Sequence, residues 1–133
     1  MRNLPALLAA VVLAAPALAF AERLPLSEQP QIRDGLIAAA IAYEIGERCD
    51  SLDARILRGL AFLGGLRSEA QRMGYTRDEI STFMDDRAEK QRLEAMAWQR
   101  FAELGGVRSD PASYCAVGRT QMAEDSQIGR LLR

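Results

Sequence analysis

The chain has 133 residues, 49% of them hydrophobic, with 17 basic and 18 acidic side chains, two cysteines and no histidine. A net charge of −1 gives no electrostatic case for nucleic acid or an anionic membrane, because both attract basic clusters. The lack of histidine removes the commonest general base and metal ligand, and with it Ser–His and Cys–His catalysis and imidazole-based zinc sites.

The chain opens with Arg2, an apolar run from Leu4 to Ala15 broken by Pro5, and Pro16. Ala19-Phe20-Ala21 then places small residues at the positions that signal peptidase reads, ahead of polar Glu22-Arg23. A retained transmembrane anchor would need roughly 20 apolar residues, and this core is shorter. The expectation is a signal peptide over 1–21, cleaved after Ala21 (or Ala19), export to the periplasm, and one helical domain over 22–133 with no membrane span after cleavage. Two cysteines in an oxidising compartment imply a structural bridge, Cys49–Cys115. Closing so long a loop contributes about 4 kcal/mol in the chain-entropy picture. A reactive thiol pair is the alternative, but no Cys-x-x-Cys is present.

Glu22 to Gln29 lacks periodicity and reads as an extended arm. Pro30 suits a first helical turn, where its missing N–H is not needed. From there Ile32, Leu36, Ile37, Ala40, Ile41 and Ile45 predict a helix to about Arg48 with one buried stripe. Asp50 or Ser51 is expected to cap a second helix running to about Met73, with Leu52, Ile56, Leu60, Leu63, Leu66, Ala70 and Met73 facing the core. Gly64-Gly65 in its middle implies close approach of a neighbouring helix. Gly74 ends it in the left-handed conformation.

Thr76-Arg77-Asp78-Glu79 is a capping box, flanked by Tyr75 and Ile80 as a hydrophobic staple. The helix it opens is expected to stop near Asp85, with Asp86 and Glu89 starting another that carries Ala88, Leu93, Met96, Ala97, Trp98, Phe101 and Leu104. One unbroken helix over 77–104 is the alternative. Asp110-Pro111 restarts the chain as cap and first helical residue, and Ser126 caps a last short turn bearing Ile128, Leu131 and Leu132. No strand-like alternation appears. The fold class is all-α, a single bundle of four to five antiparallel helices stapled by one disulfide.

Chemistry is sparse. Gly64-Gly65 and Gly105-Gly106 lack the lysine and strand context of a phosphate loop. Asp85-Asp86 and Glu124-Asp125 read as caps and solvated ends, and Glu44 as an i,i+4 partner of Arg48 or as a polar group facing the cleft between the first two helices. No catalytic, cofactor or metal residue is assigned, and the chain is not expected to be an enzyme. The least generic part is Tyr114-Cys115-Ala116-Val117-Gly118-Arg119 together with the ending Ile128-Gly129 to Leu131-Leu132. Either Arg119 ties internally to Glu44 or to the end of the first helix, or Arg119, Ile128, Gly129, Leu131 and Leu132 form a contact surface.

With Asp34-Gly35-Leu36, Cys49, Gly65-Leu66, Gly74-Tyr75 and Ala88-Glu89-Lys90, these pieces resemble a small uncharacterised family of exported alphaproteobacterial proteins, catalogued as a domain of unknown function. The resemblance supplies no activity; it implies as partner an envelope protein associated with a respiratory complex. With no chemistry found, a stapled scaffold and near-neutral charge, the function expected is protein–protein contact of an accessory or inhibitor/immunity type. A small-ligand carrier with an apolar pocket between helices is the alternative.

Overall fold

The computed structural model describes residues 23–133; the leader expected over 1–21 lies outside the described residues. A 3-10 turn, Leu26–Glu28, precedes six helices: α1 (Pro30–Arg48), α2 (Ile56–Arg72), α3 (Arg77–Asp85), α4 (Arg87–Glu103), α5 (Pro111–Ala123) and the single-turn α6 (Gln127–Arg130). The described residues contain no strand, only an isolated antiparallel bridge between Ala54 and Leu132. The all-α fold follows from the helical spacing of apolar residues and from the caps between them. Cys49 and Cys115 are disulfide-bonded, which ties the end of α1 to the start of α5.

Helix α1 is the central element, packing against α2, α4, α5 and α6. Ile37, Ile41 and Ile45, spaced by four, bury completely against Phe101, Tyr114, Val117, Ile128, Leu131 and Leu132. Phe101 and Tyr114 stack with ring centroids 4.6 Å apart, which locks α4 to α5. Leu36 and Ala40, expected in the same stripe, are half-buried and exposed. The apolar face of α1 is therefore wider than the core covers.

A second cluster of Leu26, Ile32, Ala70, Tyr75 and Ile80 closes the opposite end. There the N-terminal arm is not free. Arg23 lies over the Tyr75 ring at 4.1 Å and pairs with Glu79, while the Tyr75 hydroxyl donates to the Leu24 carbonyl.

The local stops fall where the side chains place them. Gly74 has φ 95°, and the Tyr75 N–H reaches the Ala70 carbonyl while the Gly74 N–H reaches that of Gln71, the two bonds of a Schellman end. The Thr76–Glu79 capping box is complete, with Tyr75 and Ile80 buried together beneath it. Asp86 separates α3 from α4, its carboxylate accepting from the Glu89 N–H at 2.9 Å. Asp110 and Ser126 cap α5 and α6.

Three expectations are overturned. Asp50 and Ser51 do not cap α2, which starts at Ile56. The stretch before it is engaged elsewhere: Asp53 and Arg133 exchange both backbone bonds, at 2.9 and 3.0 Å, and the Arg55 N–H donates to the Leu131 carbonyl at 2.8 Å. Backbone groups paired with the C-terminal tail are not available to a helix. The inward face of α2 is also rotated from the expected stripe. Phe62, Leu66 and Ala70 turn inward, whereas Ile56, Leu60 and Leu63 are exposed. Gly64 and Gly65 meet no neighbour; nothing lies within 4 Å of where a Cβ would stand.

Candidate functional site

The C-terminal contact surface is not an exposed apolar patch. Ile128, Leu131 and Leu132 are buried members of the main core. Gly129 is buried because α6 presses on α5: a Cβ there would lie 2.1 Å from the Gln121 carbonyl oxygen. These residues supply packing, and the tail has no apolar side chain left over for a partner. Arg119 is exposed, and among the described residues it makes neither an ion pair nor a hydrogen bond. The internal tie to Glu44 is absent too, since Glu44 faces Arg48 at 3.8 Å. Asp125 takes a bidentate contact from Arg130 at 3.1 and 3.2 Å, which holds its carboxyl below the ordinary value.

The spare apolar surface lies on the other side of α1. A cleft of about 300 Å³ opens between α1, the end of α3 and α4. Its α1 wall is Leu36, Ala40, Ile41 and Tyr43; Phe83 and Met84 close one end; Leu93, Ala97, Trp98 and Phe101 of α4 form the far wall. Tyr43 and Met84 stand at the mouth, 52% and 43% exposed.

This wall exists because α4 carries apolar residues on more of its circumference than its packing against α1 covers. Leu93 and Trp98 remain half-buried while Ala97 and Phe101 go into the core. Trp98 is steadied by its ring neighbours, with Arg108 3.8 Å above its face and Phe101 edge-on at 6.0 Å. The polar groups sit at the rim: Glu44, Lys90 and Glu94, the last accepting from the Trp98 indole N–H at 3.4 Å. An apolar floor under a mixed-charge rim suits an apolar side chain or a small apolar molecule.

A shallower groove of about 210 Å³ lies on the far side of Tyr43, between α1 and α2, lined by Ala39, Ala42, Leu60, Leu63 and Leu131. Tyr43 lines both hollows, so its ring forms a ridge in a broad apolar face. Among the described residues no three His, Cys, Asp or Glu side chains group closely enough to hold a metal ion. No helix there is long and apolar enough to cross a membrane.

Sequence reasoning placed Glu44 beside a cleft, but between α1 and α2 rather than α1 and α4. It placed Trp98 in a core stripe by periodicity and gave no role to Tyr43 or Met84. The available signal was an excess: α1, α2 and α4 each carry more apolar positions than a single stripe uses.

No curated protein and no solved structure matches the chain. Residues 24–133 match a family of unknown function, DUF5333. That match takes in both halves of the disulfide, all six helices and both hollows, and on it the chain belongs to that family.

Proposed function

We propose that this is a non-enzymatic, exported helical protein that acts through protein–protein contact, and that the cleft beside Tyr43 is where it does so. One observation carries the reading: large apolar side chains line an open cleft with charges only at its rim, on a scaffold held by a disulfide. Cleft-bounded apolar surfaces on stable helices receive the apolar face of a partner helix, and Trp and Tyr anchors dominate the energetics of such contacts. The bridge fits the oxidising periplasm, as does the leader reading. An envelope assembly, such as a respiratory complex, is the setting in which an accessory factor or inhibitor of this build would act.

A photo-crosslinking residue in place of Met84 is expected to give a discrete cross-linked protein in intact cells, whereas one in place of Thr120, exposed on α5, is not. Identical products from both positions would refute contact at the cleft. The cleft's volume of about 300 Å³, at the low end of small-molecule sites, favours a second reading as a carrier of a small apolar ligand. Native mass spectrometry of the purified chain separates the two: a carrier retains a bound mass, and Ala40→Trp at the mouth releases it.

A further inference from the structure

Helix α2 has two apolar faces, and the chain uses one. Phe62, Leu66 and Ala70 pack inward, while Ile56, Leu57 and Leu60 are outside. Leu57, 83% exposed, is the barest large hydrophobic among the described residues. The first turns of α2 carry large apolar residues on the outer as well as the inner side, and among the described residues no other helix covers the outer face.

The charges around that face are of one sign. Arg55, Arg58, Arg67 and Arg72 stand against a single acid, Glu69, which is engaged by Arg72. At 3.6 residues per turn, Arg67 falls on one flank of the Leu57–Leu60 stripe and Arg58 and Arg72 fall on the other. Arg58 donates to the Arg130 carbonyl at 3.2 Å, a bond that leaves its charge uncompensated. Arg67 has no ion pair among the described residues. The nearest acids in sequence, Asp50 and Asp53, precede the helix, and Asp53 faces Arg133 at 3.8 Å.

We infer that the outer face of α2 rests on an anionic lipid surface. Ile56, Leu57 and Leu60 enter the acyl boundary, and Arg58, Arg67 and Arg72 reach the headgroup phosphates along both flanks, the arrangement of an interfacial helix. The near-neutral total charge concealed this, because the acids are carried by other segments. Lipid is favoured over an acidic protein helix by shape. Leu57 lies outside the groove between α1 and α2, and nothing lies within 4 Å of where a Cβ of Gly64 or Gly65 would stand, so a helix docked over Leu57 would find no wall there. A fluid surface conforms to one protruding helix. None of these α2 residues lines the cleft between α1 and α4, and the cleft reading stands or falls by its own cross-links.

The test is co-sedimentation of the chain as recovered from its host, its N-terminus read by mass spectrometry. The vesicles are equal parts phosphatidylglycerol and phosphatidylcholine, or phosphatidylcholine alone, at low salt. Binding is expected to the anionic vesicles and to be lost in the Leu57→Glu, Leu60→Glu double variant. Arg58→Glu and Arg67→Glu are each expected to weaken it at least about five-fold, since a basic residue near an anionic surface contributes on the order of 1 kcal/mol. All four positions face solvent, so an unchanged melting temperature verifies the fold. Equal binding to both vesicles, or variants that bind like the parent, would overturn the inference. So would capture of a Glu/Leu amphipathic helical peptide by α2 without uptake on anionic vesicles.

Discussion

Glycine has opposite meanings at two places in this chain. At Gly129 a Cβ would sit 2.1 Å from the Gln121 carbonyl oxygen and 2.7 Å from the Met122 Cα, so α6 can lie on α5 only without a side chain there. Gly129→Ala is expected to cost about 1–3 kcal/mol, the range for overpacking, because backbone cannot give way as a flexible side chain does. Gly64 stands in open space inside α2, where glycine is only a poor helix former. Gly64→Ala is expected to stabilise by about 1 kcal/mol, raising the melting temperature by roughly 4–8 °C. Thermal melts of the two variants check both signs. The sequence alone suggests the reverse for the second site, since paired mid-helix glycines usually mark a close crossing. Gly129, expected in a contact surface, is the crowded one, pressed by residues only a short way back along the chain. Which of two glycines is crowded is a tertiary fact, and periodicity does not carry it.

The helix ends were the most legible elements, because a cap is local chemistry. Thr76 and Glu79 satisfy one another's backbone N–H groups within four residues of chain, and Asp86, Asp110 and Ser126 act over the same short range. The start of α2 was illegible for the complementary reason: the tail that claims the backbone of Asp53 and Arg55 is separated from them by most of the domain. The capping box also carries a pH dependence. The Thr76 backbone N–H, followed by Arg23, holds the Glu79 carboxyl below its ordinary value. A carboxylate with a lower folded than unfolded pKa adds stability that is complete above the unfolded value and is lost as pH falls through the folded one. Asp125, held down by Arg130, acts in the same direction. The melting temperature is therefore expected to fall as pH drops from about 6 to about 3. In Glu79→Gln, which keeps the shape and removes the titration, that fall should be smaller. A variant whose melting temperature drops as steeply as the parent's would take the effect away from this cap.

At the scale of the whole molecule, the bundle has one face finished and one left open. Its finished face, where α5, α6 and the tail cover α1, is the part the disulfide guards. The bridge joins residues 66 apart in sequence, and the loop it closes contains α2, α3 and α4, among them α2 with its exposed Ile56, Leu57 and Leu60. A domain that leaves so much apolar area uncovered forgoes burial that would otherwise hold it together, so a constraint on the unfolded chain matters more here than in a fully packed bundle. Chain entropy assigns this closure about 4 kcal/mol, against a total of about 5–15 kcal/mol for a typical domain. The native-state loss is small by comparison, because Ser51 Oγ lies 3.4 Å from Cys49 Sγ and can bond to a serine placed there. Cys49→Ser with Cys115→Ser is accordingly expected to lower the melting temperature by roughly 15–30 °C. The urea m-value should rise at the same time, since an unbridged denatured chain exposes more surface. A drop of only a few degrees with an unchanged m-value would mean that packing of α1 against α5 holds the fold by itself, and that the bridge serves something other than stability.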